Sequence, residues 1–302
     1  MAFVTDAEQT ARRERTALAA LFFACSLFSF TAVFVRLSEV GPAATGFWRY
    51  TFTVPFMIAW IAVLAWRRPT RVLPTRREAA SLFAAALMLA TNVVTWQEAI
   101  IETSIANAVL LANLHPIMVA IGAYYLFGER MAWPFWAGLV FALIGTALLI
   151  RAGAGPLTGV NHGDLLALVG AASFGAWVLL AKAQRGSLST PVTMAWNMGL
   201  GAPMLLIYTA IVGEPIMART AFGWGVLFAF AVTVNVIGLS IFTYTTGRLS
   251  ASINAAALLV IPVLSTTYGW ILFDERVSLT QGIAAALVLA GLFLTQRGQR
   301  GR

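Results

Sequence analysis

Polar and aromatic side chains that could bind a small molecule lie within long apolar stretches of this sequence. The eight strongest candidates are Asn92, Trp96, Trp177, Tyr244, Asn235, Asn254, Ser29 and His115. Polar groups in such surroundings usually face a cavity or another polar group, because burying them unpaired is costly. Aromatic rings interleaved with amides suit an amphipathic ligand, since the rings contact its apolar part and the amides bind its polar groups. Asn92 and Trp96 are four residues apart and share one helix face, which makes them the leading pair.

The serine, the asparagines and the histidine also have a purely structural interpretation. A lone serine such as Ser29 most simply donates its hydroxyl hydrogen to the carbonyl four residues earlier. For the asparagines, a hydrogen bond between helices is as good an explanation as a ligand. His115 directly precedes Pro116 and most simply supports a helix break as a neutral ring. Its imidazole could instead carry a proton, because histidine titrates near neutral pH.

Other reactive residues are sparse, and this excludes several kinds of chemistry. The single cysteine, Cys25, rules out an intramolecular disulfide, and two separated histidines leave little for a metal site or for catalysis by a membrane enzyme. The chain has no Gly-rich loop ending in Gly-Lys-Ser/Thr that would hold nucleotide phosphates. We therefore expect no cofactor, no metal and no enzymatic activity.

The composition is that of an integral membrane protein. Of 302 residues, 60% are hydrophobic and only 11% are charged, and the mean hydropathy is +0.82. Soluble domains carry about 25% charged residues, so this chain has too little charge to cover a soluble surface. The composition argues against a soluble enzyme and against a nucleic-acid-binding protein.

The sequence predicts an all-α fold with ten transmembrane helices. A helix needs roughly 20 apolar residues to cross the hydrocarbon core. Runs of that kind fall at about 16–35, 43–65, 79–98, 103–126, 133–151, 163–182, 190–212, 221–243, 251–272 and 279–296. The connections between them are mostly short, which leaves no room for a folded domain outside the membrane.

The basic residues predict the orientation of these helices. If the N-terminus is cytoplasmic, fifteen of the twenty Lys and Arg residues lie on the cytoplasmic side, and four, Arg36, Arg151, Arg219 and Arg276, lie outside. This bias follows the positive-inside rule and places both termini in the cytoplasm. The formal net charge of +8 is then explained by topology and anionic lipid, with no nucleic-acid partner.

The twentieth basic residue, Arg49, falls near the start of the second apolar stretch. We expect its long side chain to extend to the outer membrane surface; the alternative is that it reaches inward and holds a carboxylate. No Asp or Glu falls near the middle of a stretch. A carrier coupled to protons commonly uses a carboxylate there, so its absence favours a process without proton coupling.

The two halves of the chain repeat each other. A shift of 146 residues places Pro116 on Pro262 and Glu129-Arg130 on Glu275-Arg276. The predicted organisation is a cytoplasmic segment 1–15, repeats 16–151 and 162–297, an external linker 152–161 and a cytoplasmic tail 298–302. Because each repeat has five helices, the second enters the membrane from the opposite side. Inverted repeats are typical of transporters, whose substrate site lies between the halves.

Four prolines fall inside the apolar stretches as two matched pairs: Pro55 with Pro203, and Pro116 with Pro262. Proline removes a backbone hydrogen bond and bends a helix. The pairs predict a symmetric set of kinks, which either let the helices rock during gating or simply give them static curvature.

The repeated segment resembles a known family. The copies read PIMVAIGAYYLFGER and PVLSTTYGWILFDER, and each is followed by a Gly-containing helix. They resemble the EamA repeat of the drug/metabolite transporter superfamily, with Asp274 where the family usually has Gly. Within that superfamily the chain is most similar to the YddG-type exporters of aromatic and other neutral amino acids. The resemblance implies a basket of ten helices around a central cavity, with helices five and ten outside.

These observations together predict a secondary exporter of small amino acids or related metabolites that works by alternating access. Export of other metabolites, or of cationic drugs with proton coupling, is the alternative, and a polytopic membrane enzyme is the rival from another class. The expected location is the inner membrane of a bacterium, and the expected assembly is a monomer or a weak homo-oligomer.

Overall fold

The computed structural model describes residues 6–67, 70–103, 105–153, 161–273 and 278–299. Within these ranges ten helical segments, called spans 1 to 10, are long and apolar enough to cross a membrane: Glu14–Val35, Pro42–Arg67, Arg76–Trp96, Ala108–Phe127, Trp133–Arg151, His162–Gln184, Thr190–Val212, Ala221–Thr246, Ala251–Tyr268 and Leu279–Gly298. The predicted all-α fold with ten spans is confirmed. The Glu275-Arg276 pair, most of the predicted linker and both ends of the chain lie outside the described residues.

Six spans are formed by single α-helices: Pro42–Arg67, Arg76–Glu102, Trp133–Gly153, His162–Gln184, Thr190–Val212 and Leu279–Gln299. Spans 1 and 4 are each built from two α-helices, Asp6–Ser29 with Thr31–Leu37 and Ile105–Ala112 with His115–Phe127. Span 8 consists of Ala221–Phe230, a π-helix Ala231–Leu239 and Ser240–Thr246. Span 9 consists of Ala251–Ala257, a 3₁₀ turn Leu258–Val260 and Ile261–Phe273.

Only one of the two proline pairs coincides with helix interruptions. Pro116 and Pro262 are the second residues of the helices that follow the breaks in spans 4 and 9. Pro55 and Pro203 instead lie inside uninterrupted helices of spans 2 and 7. Proline fits the first turn of a helix, where its missing N–H has no partner to lose. The equivalent spans 4 and 9 are therefore broken at matching points.

The packing follows the inverted repeat. Span 2 packs on span 7, span 4 on span 9 and span 5 on span 10, each with its own counterpart. Span 3 packs on span 6. In the same way span 8, the counterpart of span 3, packs on span 1, the counterpart of span 6. The spans alternate in direction. We call the membrane face where span 1 begins and span 10 ends the N-terminal face, and the other the opposite face.

Spans 5 and 10 approach each other at backbone distance. A Cβ added at Gly138 would lie 2.4 Å from the carbonyl oxygen of Gly291, and one added at Gly291 would lie 2.4 Å from the amide nitrogen of Ala142. Small residues let membrane helices pack this closely and gain van der Waals contact, which substitutes for the hydrophobic effect that lipid does not supply.

Candidate functional site

An aromatic layer crosses the interior of the bundle and joins both repeats. The ring of His115 meets Phe174 edge-on with centroids 5.1 Å apart, and Phe174 lies 5.4 Å from Trp177. Trp177 stacks on Phe242 at 5.9 Å, and Phe242 lies 6.0 Å from Phe28. Trp177 and Phe242 are fully buried. The five rings come from spans 1, 4, 6 and 8 and fill the space between them.

A cavity of about 780 Å³ lies at the N-terminal face and is lined by the ends of spans 1, 4, 6, 8, 9 and 10. We call it the vestibule. Its basic lining residues are Arg15, Arg130, Lys182, Arg185 and Arg248, and its acidic ones are Glu14 and Glu129. Trp177 precedes Lys182 by five residues, about 7 Å along span 6. The vestibule thus lies next to the aromatic layer on the side of the N-terminal face.

Glu129 ties three elements together at the wall of the vestibule. Its carboxylate accepts the backbone N–H of Ala251 at 3.0 Å and the hydroxyl of Ser252 at 2.9 Å, and it pairs with the Lys182 ammonium at 2.8 Å. Lys182 also donates to the carbonyl of Leu249 at 3.0 Å. A carboxylate at the start of span 9 is favourable because the helix dipole and free N–H groups point at it. These contacts join span 4 of the first repeat to spans 6 and 9 of the second.

Two arginines lie close together on the same wall. Arg185 donates Nη1 to the carbonyl of Leu188, but its Nε is buried and has no hydrogen-bond partner among the described residues. The guanidinium of Arg248 lies 3.6 Å from the centre of the Tyr244 ring. Burial, and then the neighbouring charge of Arg248, lower the pKa of Arg185 from its usual value. Two adjacent cations with an unused donor favour an anionic group in the vestibule.

The predicted ligand-binding residues fall in different parts of this arrangement. His115 and Trp177 belong to the aromatic layer, and Tyr244 is 39% exposed near the vestibule. The indole Nε1 of Trp177 is buried without a partner among the described residues. Trp96 packs near the opposite face with a small cluster of alanines from spans 3, 4 and 6. None of the eight is among the residues that line the vestibule.

The remaining candidates already bond to the protein. Ser29 donates to the carbonyl of Cys25 at 2.9 Å. Asn92 donates to the carbonyl of Gly170 at 3.0 Å, which joins spans 3 and 6. Asn254 donates to the carbonyl of Ser250 at 2.9 Å and accepts the hydroxyl of Thr245 at 2.6 Å. The Nδ2 of Asn235, in the π-helix of span 8, lies 3.8 Å from the sulfur of Met198.

The opposite face is held together by carboxylates that cap helix starts in the other repeat. Glu39 accepts the N–H of Arg219 at 2.9 Å, the N–H of Thr220 at 3.0 Å and the Thr220 hydroxyl at 2.5 Å. The Thr220 hydroxyl is also the main cause of the lowered pKa of Glu39. Glu214 accepts the N–H groups of Ala43 at 3.0 Å and Ala44 at 3.1 Å. These contacts fasten span 1 to span 8 and span 2 to span 7.

Arg49 does not extend to the outer surface, and that expectation was wrong. Its guanidinium carbon lies 4.5 Å from the centre of the Phe230 ring, which is fully buried. The cause is the face on which Arg49 stands: Thr53 and Met57, one and two turns further along span 2, are fully buried on that same face.

Asn197 was not among the predicted residues. It is fully buried, and neither amide atom has a hydrogen-bond partner among the described residues. The repeat contains the signal that identifies it. When Trp48 is aligned with Trp196 and Pro55 with Pro203, Asn197 falls on Arg49.

Comparison with known proteins agrees with this architecture. A solved crystal structure that is 22% identical superimposes with a TM-score of 0.81 and covers 95% of this chain and 98% of its own. That likeness shows the fold alone. The aromatic amino acid exporter YddG of Ancylobacter novellus is 26% identical over 188 residues, 62% of this chain and 65% of that protein.

Two further relatives align along most of the chain. The probable terminal-alkyne amino-acid exporter of Streptantibioticus cattleyicolor is 26% identical over 91% of this chain and 90% of its own length. The riboflavin transporter of Rhizobium johnstonii is 23% identical over 92% and 89%. The pattern of the EamA-like transporter family matches residues 15–151 and, a second time, residues 161–297. Because these two matches cover nearly the whole sequence, the chain belongs to the EamA-like transporter family.

Proposed function

We propose that this protein is a secondary exporter of small neutral amino acids, aromatic ones among them, or of related metabolites. The observation that carries the proposal is the vestibule at one face, on the N-terminal side of the aromatic layer, while carboxylate caps fasten the other face. A transporter with one face open and the other closed, built from inverted repeats, works by alternating access.

The distribution of basic residues supports the direction of transport. In the topology predicted from the sequence, fifteen of the twenty basic residues fall on the side of the N-terminal face, which is cytoplasmic under the positive-inside rule. The vestibule then opens to the cytoplasm, which is the state in which an exporter loads its substrate. The proposed location is the bacterial inner membrane with both termini inside, and the proposed assembly is a monomer or a weak homo-oligomer.

The chemistry of the path supports a zwitterionic substrate with an apolar side chain. Arg185 and Arg248 suit its carboxylate, and the aromatic layer suits its side chain. Of the predicted residues, Trp177 and His115 belong to this layer. Asn92 and Trp96 are proposed to contact the substrate nearer the opposite face. Two relatives whose names specify amino-acid export support the same class.

The proposed process is facilitative. Within the described spans, acidic residues occur only near the ends, as with Glu78 in span 3 and Asp164 in span 6. A carboxylate near the middle would be the expected site for a coupling proton or for a cationic drug. His115 is buried within span 4, and it is the proposed coupling residue if transport responds to pH.

A planar aromatic metabolite is the second candidate substrate. The relative that is named a riboflavin transporter aligns with 92% of this chain, more than the named exporter of aromatic amino acids does. Stacked rings such as Trp177 and Phe242 would hold a flat heterocycle as readily as an aromatic side chain.

Counterflow into proteoliposomes tests the proposal. Liposomes that contain the purified protein are preloaded with unlabelled compound. They are then offered labelled neutral, aromatic, acidic and basic amino acids, and riboflavin, with and without a pH gradient. We expect uptake of neutral and aromatic amino acids that ignores the gradient. Uptake driven by the gradient would contradict a facilitative process, and uptake of riboflavin alone would replace the amino-acid assignment. Liposomes without protein are the control.

A further inference from the structure

Arg49 is a partly buried cation that has no acidic partner among the described residues. It lies seven residues into span 2, about 10 Å below the opposite face if the helix stands upright. Its Nε is shielded from solvent and has no hydrogen-bond partner, and none of the ion pairs among the described residues involves it. Its neighbours are aromatic: the ring of Phe230, and the adjacent Tyr50 with its ring centre at 6.0 Å. The Tyr50 side chain hydrogen-bonds to the guanidinium but is neutral, so it does not balance the charge.

Topology does not explain this arginine as it explains the others. Long basic side chains at the ends of spans are able to extend to water and lipid headgroups, whereas Arg49 faces the contact between spans 2 and 8. Cation–π contacts with Phe230 and Tyr50 recover only part of what a guanidinium loses when it leaves water. An ionisable group without an opposite charge inside a membrane protein usually belongs to a functional site.

The equivalent position of the second repeat is also an unpaired polar residue. Asn197 lies seven residues into span 7, which starts at the N-terminal face, so the two side chains stand at equal depths from opposite faces. Neither the oxygen nor the nitrogen of its amide has a partner among the described residues. Packing alone would favour apolar residues at both positions. Polar residues at both fit a path that offers a hydrogen-bonding group in each half of the membrane.

We propose that Arg49 binds the carboxylate of the transported substrate in the half of the path that leads to the opposite face. The inference rests on the proposed function and adds a chemical requirement to it: the substrate carries a carboxylate. The ring of Phe34 from span 1 stacks on Phe230 at 5.1 Å, next to the guanidinium. A zwitterion with an aromatic side chain therefore finds a cation and an apolar surface together. Glu39 and Glu214 must release their helix caps before the substrate leaves.

The test replaces Arg49 by Met, an unbranched side chain without charge, and by Lys, which keeps the charge. Binding of phenylalanine and of phenylalaninamide, which lacks the carboxylate, is measured by competition in counterflow. We expect the wild type to prefer phenylalanine about 10- to 100-fold, the range of a charge-assisted hydrogen bond. Arg49→Met should remove most of this preference, and Arg49→Lys should retain part of it. The matched control is Arg151→Met, at the exposed end of span 5, which should leave the preference unchanged.

Thermal unfolding of the purified protein without substrate separates a binding role from a structural one. If Arg49 is kept for binding, Arg49→Met removes an uncompensated buried charge, and the melting temperature stays equal or rises. A clearly lower melting temperature would assign Arg49 to packing and overturn the inference. So would a stable Arg49→Met protein that still distinguishes phenylalanine from its amide.

Failure of the proposed function gives a different result. In that case the wild type transports no amino acid, and the comparison is repeated by thermal shift with other aromatic carboxylates and their amides. Stabilisation of the wild type by carboxylates but not by amides, lost in Arg49→Met, would support the inference with another substrate. Stabilisation by none of them would overturn it.

Discussion

At the scale of single residues, polar groups inside the spans divide by the partner they use. Asn92 and Asn254 donate to backbone carbonyls of the protein. Arg49, Trp177 and Asn197 each have a buried polar atom with no partner among the described residues. An unsatisfied donor in a low-dielectric interior is costly, so it persists where a ligand or a second conformation satisfies it. Residues with an unpartnered buried polar atom are therefore the better candidates for contact with substrate.

Replacing Trp96 tests whether span 3 contributes to the site. If span 3 contributes to the site, Trp96→Ala should abolish uptake in proteoliposomes. Expression and the elution profile should stay normal, because the ring packs in a small peripheral cluster and not in the main core. Trp66→Ala is the matched control, since that ring is 89% exposed at the end of span 2. Full activity of Trp96→Ala would remove span 3 from the site.

The sequence was sufficient to identify polar residues in apolar stretches, but not their partners. Asn92 looks the same in the sequence whether its amide binds a ligand or the carbonyl of Gly170, because that contact joins residues 78 positions apart. The inward direction of Arg49 likewise depends on span 8 packing beside span 2. Only Asn197 could have been found in advance, by comparing the two repeats position by position.

At the scale of helices, Glu129 and Lys182 form a link whose strength is measurable. Glu129→Gln weakens both the ion pair and the cap on span 9, and Lys182→Met leaves the carboxylate without its cation. Each variant should lose about 1–3 kcal/mol of stability. The double variant should lose less than the sum of the two, by about 1 kcal/mol, because both remove the same contact. Strictly additive losses in detergent melting curves would show that the pair is not coupled.

The contact between spans 5 and 10 predicts opposite outcomes for two glycines on these helices. Gly138→Ala places a Cβ 2.4 Å from the carbonyl oxygen of Gly291, so the spans must separate and stability should fall by about 1–3 kcal/mol. Gly282→Ala has no atom within 4 Å of its added Cβ and should be neutral or slightly stabilising, since alanine favours helix. Equal melting temperatures for the two variants would contradict the close packing of these spans.

At the scale of the whole molecule, hydropathy, charge bias and the 146-residue repeat predicted the ten spans and their two halves. These properties are periodic and depend on the bilayer, so they are visible without tertiary contacts. Which face is open is not visible in this way. It depends on a few contacts between distant residues, such as Glu39 with Thr220 and Glu214 with Ala43, and alternating access requires that both arrangements be compatible with one sequence.

Alternating access therefore predicts that tethering the opposite face stops transport. In the double variant Glu39→Cys/Thr220→Cys, a bifunctional reagent that forms a disulfide with each thiol should hold spans 1 and 8 together and abolish counterflow. Reductant cleaves those disulfides and should restore transport. The native Cys25 is fully buried and does not compete for the reagent. Each single-cysteine variant, treated in the same way, controls for modification alone. If transport continues after complete cross-linking, substrate leaves by a route that does not require spans 1 and 8 to separate, and the carboxylate caps are then permanent parts of the fold.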